Sequence, residues 1–212
     1  NIGGRFSVLS KSSLIACEMM HVNWKKIIIG AMSAYKKLYL NGFKEINYLS
    51  NFYYKHLGKN KTNTGLISYK NNLDSFGEWF MQLWGESLGK IRDDGLEMGL
   101  TPSRYLGPKD QHSQLQLILD GPKDKTITFI SIKKSISGNK FLHRSALKEK
   151  NATLSALKEK KVPYIELEID FLDEKVLGEL FLIFELTTII LAKKMKINPF
   201  DQPAVELIKK NL

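Results

Sequence analysis

The spacing of hydrophobic positions changes repeatedly along the chain, and those changes mark out its elements. Ile27, Ile28, Ile29, Met32, Tyr35 and Leu38 recur at helical spacing and predict a helix over residues 24–40. Ile46, Leu49 and Tyr53 share one face of a second helix over about 44–56, and Phe76, Trp79, Phe80 and Leu83 share one face of a third. Residues 126–132 are β-branched and aromatic and read as the clearest strand. Residues 63–69 read as a short strand, and residues 163–169 alternate strictly, as a half-buried or edge strand does. Residues 99–108 read as loop segments around a short strand. Helices are also expected over about 12–20, 115–119, 142–161 and 173–194, with a terminal helix carrying Glu206, Lys209 and Lys210. Within 142–161 the hexapeptide Ser145-Ala146-Leu147-Lys148-Glu149-Lys150 recurs at 155–160, which predicts two amphipathic stretches separated by a cap at 151–153.

Strands alternating with helices predict an α/β fold, a three-layer αβα sandwich around a mostly parallel sheet. Ligands in such folds bind beyond the carboxyl ends of the strands. Glu86, His112 and the Gly3-Gly4-Arg5 loop are expected to meet there.

Composition narrows the function classes. The chain has 212 residues, 43% hydrophobic and 25% charged, ordinary for a globular protein. Thirty-two Lys and Arg against 22 Asp and Glu leave a net charge of +10. The lysines are scattered as pairs (Lys25-Lys26, Lys36-Lys37, Lys133-Lys134, Lys160-Lys161) rather than massed with aromatics. That scatter argues against dedicated nucleic-acid binding, and the charge fits equally an anionic metabolite or a lysine-rich proteome. Cys17 is the only cysteine, so no disulfide framework or thiolate metal cluster can form, which suits a reducing cytoplasm. No apolar run reaches the roughly 20 residues of a membrane span. Residues 177–192 come nearest but carry Glu179 and Glu185, and read as a buried helix. No secretory signal pattern is present. The chain starts at Asn1, without methionine and directly in a dense motif, and is expected to be a portion of a longer protein.

Three positions carry candidate chemistry. Arg5 behind two glycines offers its planar fork to an oxyanion or phosphate, although exposed arginines in glycine-rich loops are common. Glu86 follows Gly85 and precedes Gly89, where a helix meets a loop, and reads either as a general base or as a solvated surface carboxylate. His112 stands just before a helix start, where its imidazole can face a cleft; the other reading is an ordinary surface histidine.

Taken in chain order, Gly3-Gly4-Arg5-Phe6-Ser7, the segment Gln82 to Lys90, Gln111-His112-Ser113, and Phe200-Asp201-Gln202 with Glu206 and Lys209 resemble the glucose-6-phosphate isomerase family from residue 1 to 209. The first and last segments are similar to that family's two signature patterns, and Trp84 to Lys90 is similar to the bacterial form of its base-bearing loop. The resemblance implies reversible conversion of glucose 6-phosphate to fructose 6-phosphate, with no metal or organic cofactor, in the cytoplasm. It implies that Glu86 shuttles a proton between C2 and C1 through a cis-enediol(ate), and that Arg5 stabilises the enediolate oxygen. His112 and Lys209 would assist ring opening. Gln82 and Gln202 would bond the sugar, and Gly4 would let it approach. It further implies a homodimer in which His112 serves the partner subunit's site. Residues 1–40 would end one sugar-isomerase domain and its connecting helices, and 41–212 would form the C-terminal sugar-isomerase (SIS) domain.

The chemistry fits these residue types: a proton alpha to a carbonyl is weakly acidic, so one base needs an oxyanion stabiliser beside it. The sequence departs from the family in Ala204, where glycine is usual, and in Ser12-Ser13 after the first motif; Ala204 would crowd its loop only at a positive φ. The family's serine- and threonine-rich phosphate loop should lie upstream of Asn1, so this chain alone is expected to be inactive. Two rivals share the fold. One is a non-catalytic sugar-phosphate-binding module, which has no need of Glu86 or Lys209. The other is the isomerase half of an amidotransferase making glucosamine 6-phosphate, which should lack the terminal Asp201-Gln202, Glu206 and Lys209 pattern.

Overall fold

The structure, a computed structural model, describes residues 3–134 and 139–210, the side chains of 207–210 excepted. A 3-10 turn (Gly4–Phe6) leads into α1 (Lys11–Met19), α2 (Trp24–Leu40), α3 (Lys44–Leu57) and β1 (Asn63–Ser68). A second 3-10 turn (Asn71–Leu73) opens α4 (Asp74–Leu88). Then come β2 (Lys90–Ile91), β3 (Glu97–Met98), β4 (Thr101–Leu106), α5 (Gly107–Asp110), α6 (Leu115–Asp120) and β5 (Lys125–Ile132). The chain ends with α7 (Lys140–Glu159), β6 (Tyr164–Ile169), α8 (Glu174–Met195) and α9 (Pro203–Lys210). Two compact units result: Asn1–Lys55 with Gln82–Leu100 and Glu174–Leu212, and His56–Met81 with Thr101–Asp173.

The second unit holds a four-stranded sheet in the order β4-β1-β5-β6, every pair parallel. The central strands β1 and β5 are buried almost throughout while β4 and β6 are half-buried, as apolar central strands and more polar edges dictate. Ile67 stands opposite Tyr105 on β4 and Phe129 on β5. With Ile127 it packs against Ile118 of α6 and Leu157 of α7. On the opposite face Leu66 and Ile130 line a small void with Leu73, Asp74 and Gly77 at the start of α4. Helices therefore cover both faces of the sheet, the expected α/β sandwich. β4 is a full six-residue strand rather than a short one within loops. Its Pro102 is tolerated because β4 lies at the sheet edge.

The first unit is helical apart from a two-residue hairpin. α2 and α8 cross with their backbones in direct approach. A Cβ on Gly30 would sit 1.8 Å from the Lys175 carbonyl oxygen, and one on Gly178 would sit 1.9 Å from that of Ile27. No side chain fits between the helices there, so both positions require glycine. Trp84, fully buried, meets the Tyr53 ring edge-on at a centroid distance of 4.6 Å.

One local expectation is overturned and one element is new. Residues 151–153 do not separate two helices: α7 runs unbroken from Lys140 to Glu159, and Thr153 is buried. The hairpin β2–β3, turning at Gly95 (φ +82°), was not anticipated. His21, Asn60, Lys161 and Lys196, within three residues of the ends of α1, α3, α7 and α8, have positive φ without being glycine. Among the described residues no helix is long and apolar enough to cross a membrane.

Candidate active site

Arg5 sits in the 3-10 turn behind Gly3 and Gly4 and is completely buried. A buried guanidinium needs an acceptor for every N–H, and this one has them. Nε donates to Ser87 Oγ at 2.9 Å. Nη1 donates to Glu86 Oε2 at 3.1 Å and to Gln202 Oε1 at 2.9 Å. Nη2 donates to the carbonyls of Pro199 and Asp201, both at 2.7 Å. Three sequence segments, 3–7, 82–90 and 198–202, are thus tied together by one side chain.

Glu86 lies in the last turn of α4, not in a loop, and Gly85 before it is helical. Neither Gly85 nor Gly89 has a positive φ. The helix does the positioning instead: Gln82, one turn earlier, donates Nε2 to Glu86 Oε1 at 3.1 Å while Arg5 holds Oε2. With both oxygens held, the Glu86 side chain is still 30% exposed. Lys90 Nζ donates to the Glu86 carbonyl at 2.8 Å, to the Asp201 carbonyl, and ion-pairs with Asp201 Oδ1 at 3.1 Å. A cleft of about 1030 Å³ opens beside this network, lined by Glu86, Lys90, Arg92, Lys193, Lys196 and Gln202 among others.

The Arg5–Glu86–Gln202 cluster is built from helix and loop residues of the first unit. Gly4 is exposed and adjoins the cluster: a Cβ there would meet Gln82 Nε2 at an ordinary 3.8 Å. Ala204 has no positive φ and lies exposed in the first turn of α9, so it crowds nothing. The backbone of Lys209 lies in α9, and its side chain falls outside the described residues.

His112 belongs to the second unit, exposed in the turn between α5 and α6, with no hydrogen bond from its imidazole among the described residues. Its neighbour Gln111 anchors that turn, donating Nε2 to Thr153 Oγ1 at 2.6 Å and to Tyr69 Oη at 2.9 Å. Burial pushes the Tyr69 hydroxyl above its usual range. Sequence reasoning assigned no role to Ser87, Lys90 or Tyr69, and read Thr153 only as part of a helix cap. The four-residue step from Glu86 to Lys90 on a helix end was the one available signal.

No protein-family model matches the chain. Curated relatives do. Glucose-6-phosphate isomerase of Campylobacter jejuni is 35% identical, covering all of this chain and 56% of that protein. The enzymes so named in Mycoplasmopsis pulmonis (36%, all of this chain, 53% of that protein) and Methanocaldococcus jannaschii (34%, 99% and 55%) agree. Along its whole length the chain is similar to curated glucose-6-phosphate isomerases. It spans about half the length of the curated relatives it matches. Among solved structures, a hypothetical protein of Thermus thermophilus superposes with a TM-score of 0.83 at 28% identity, over 98% of this chain and 54% of that one. A glucose-6-phosphate isomerase of Chlamydia trachomatis shares the fold, with a TM-score of 0.82 at 21% identity, over 98% and 46%.

Proposed function

We propose that this chain is the C-terminal part of an enzyme that interconverts glucose 6-phosphate and fructose 6-phosphate. The observation that carries this reading is the Glu86 carboxylate, held at both oxygens by Arg5 and Gln82 yet open to a cleft. Glu86 takes the proton from C2 of the open-chain aldose; the C–H electron pair becomes the C1–C2 double bond of a cis-enediol(ate) as the C1 carbonyl pair moves onto O1, a proton passes from O2 to O1, and C2–O2 becomes the carbonyl as the same carboxyl returns its proton to C1. Negative charge develops on the oxygen next to the reacting carbons, and the Arg5 guanidinium, held against Glu86 and Gln202 by Nη1, stabilises it through its fixed positive charge. Gln82 and Gln202 bond the sugar hydroxyls beside Gly4. His112 and Lys209 assist ring opening, His112 in the site of the partner subunit of a cytoplasmic homodimer. Residues 41–212 form the second sugar-isomerase domain, and the phosphate is gripped by the domain that precedes it. Relatives about twice as long support that division.

The test is a coupled fructose 6-phosphate assay of the enzyme with its N-terminal portion in place, comparing Glu86→Gln with the unaltered protein. Loss of a positioned base is expected to lower kcat at least about a hundredfold. If the variant keeps more than a tenth of the rate, Glu86 is not the base.

A further inference from the structure

The site contains a second cation that the isomerisation, as proposed above, does not use. Lys90 follows α4 by two residues, and its side chain is only 6% exposed. An ammonium has three protons and no acceptor, so its bonding can be accounted for completely. One bond goes to the Glu86 carbonyl at 2.8 Å, an end-of-helix carbonyl that lies within the last turn of α4. The other contacts are the Asp201 carbonyl and, at 3.1 Å, Asp201 Oδ1. The Asp201 carbonyl is the same oxygen that accepts from Arg5 Nη2. Lys90 and Arg5 therefore grip one loop carbonyl together, Lys90 from the Glu86 helix end and Arg5 from the glycine-rich turn. With its donors taken by protein oxygens, Lys90 has none left for a substrate.

We infer that Lys90 is a positioning residue, setting the distance between Glu86 on α4 and Gln202 on the 198–202 loop so that base and sugar-binding amide face one substrate. The inference rests on the proposed isomerisation. Without the ammonium, the hydrogen bonds that join the end of α4 and the Asp201 carbonyl to each other run, among the described residues, through Arg5. A displacement of the base by about an ångström is enough to cost on the order of a hundredfold in rate. Because the sugar is bound by other groups, the loss falls on proton transfer rather than on affinity.

The experiment uses the enzyme with its N-terminal portion in place and three variants: Lys90→Met, which keeps the stem and removes the charge, Lys90→Arg, which keeps the charge, and Glu86→Gln. Steady-state kinetics are run with ordinary and C2-deuterated glucose 6-phosphate. Lys90→Met is expected to lower kcat at least about tenfold with KM within about threefold. It is also expected to raise the deuterium isotope effect on kcat, because a misplaced base makes proton transfer limit the rate. Lys90→Arg, with charge restored in a larger fork, is expected to recover part of kcat; it also supplies the reading if Lys90→Met does not fold. An unchanged isotope effect and kcat in a folded Lys90 variant overturns the inference, as does a change confined to KM. Glu86→Gln separates the two ideas. If it stays active, the proposed base is wrong; if it is inactive while Lys90→Met is normal, only the positioning role falls.

Discussion

At the scale of single residues, Arg5 is better described as the centre of a cluster than as a free anion receptor. Each of its N–H groups already has a protein acceptor, and its side chain is excluded from solvent. Lysine in its place supplies three donors on a flexible stem and leaves buried acceptors unmet. Arg5→Lys is accordingly expected to destabilise the chain by about 2 kcal/mol or more in urea unfolding, alongside its loss of activity. Unchanged stability would mean that the buried network is not maintained in solution. Glu185 on α8 is the opposite case. Its Oε1 is buried with no hydrogen-bond partner among the described residues, and burial pushes the carboxyl up to about 8. Between the unfolded carboxyl's range near 4.5 and about 8, the folded chain binds more protons than the unfolded one, so stability falls as pH rises through that window. Glu185→Gln removes that dependence. It is expected to raise the melting temperature relative to the parent at pH 8.5, with little or no gain at pH 5; an equal shift at both pH values would show that burial of the charge is not the cause.

At the scale of elements, what could be read from the sequence depended on whether the deciding contact was local. α2 was legible to the residue because Ile27 and Leu38, both buried, sit in an unbroken helical period. β5 was equally plain in its β-branched run. β4 was hidden because Pro102 and the following Gly107-Pro108 look like loop punctuation, and only pairing with β1 makes the segment a strand. The supposed cap inside α7 failed for a related reason: Thr153, which reads as a capping hydroxyl, is buried and bonded to Tyr69 and Gln111 instead. In the site, Glu86 and Arg5 were readable from motifs, whereas Lys90 was not, since its partner Asp201 is 111 residues away. The α2–α8 crossing is the element-level feature most exposed to substitution. Gly178→Ala puts a methyl group inside the van der Waals shell of the Ile27 carbonyl, so the helices must part. A loss of about 1–3 kcal/mol in denaturant unfolding is expected, and a neutral result would mean that α2 and α8 do not approach so closely.

At the scale of the whole molecule, the proposal divides one reaction between this chain and a portion that lies outside it. Glu86, Arg5, Gln82 and Gln202, to which the proposal assigns base, charge stabilisation and sugar binding, are gathered within one compact unit, while it assigns the phosphate grip to a preceding domain. The isolated 212-residue chain is therefore expected to show no measurable turnover of fructose 6-phosphate even at high enzyme concentration. Turnover matching that of the longer protein would place the phosphate site within these residues and refute the division. The net charge of +10 is consistent with an anionic substrate drawn in by a general field.

The helix ends described earlier have a bearing on engineering the protein for heat resistance. His21, Asn60 and Lys161 are exposed, and each holds a backbone conformation that glycine adopts without penalty. They stand far apart in the sequence, follow three different helices, and lie outside the cluster around Arg5. The stability left unrealised at such ends can be recovered one at a time by glycine, with the gains adding where the sites are independent. A hardier version of the chain is thus reachable without altering any residue to which the proposed chemistry is assigned.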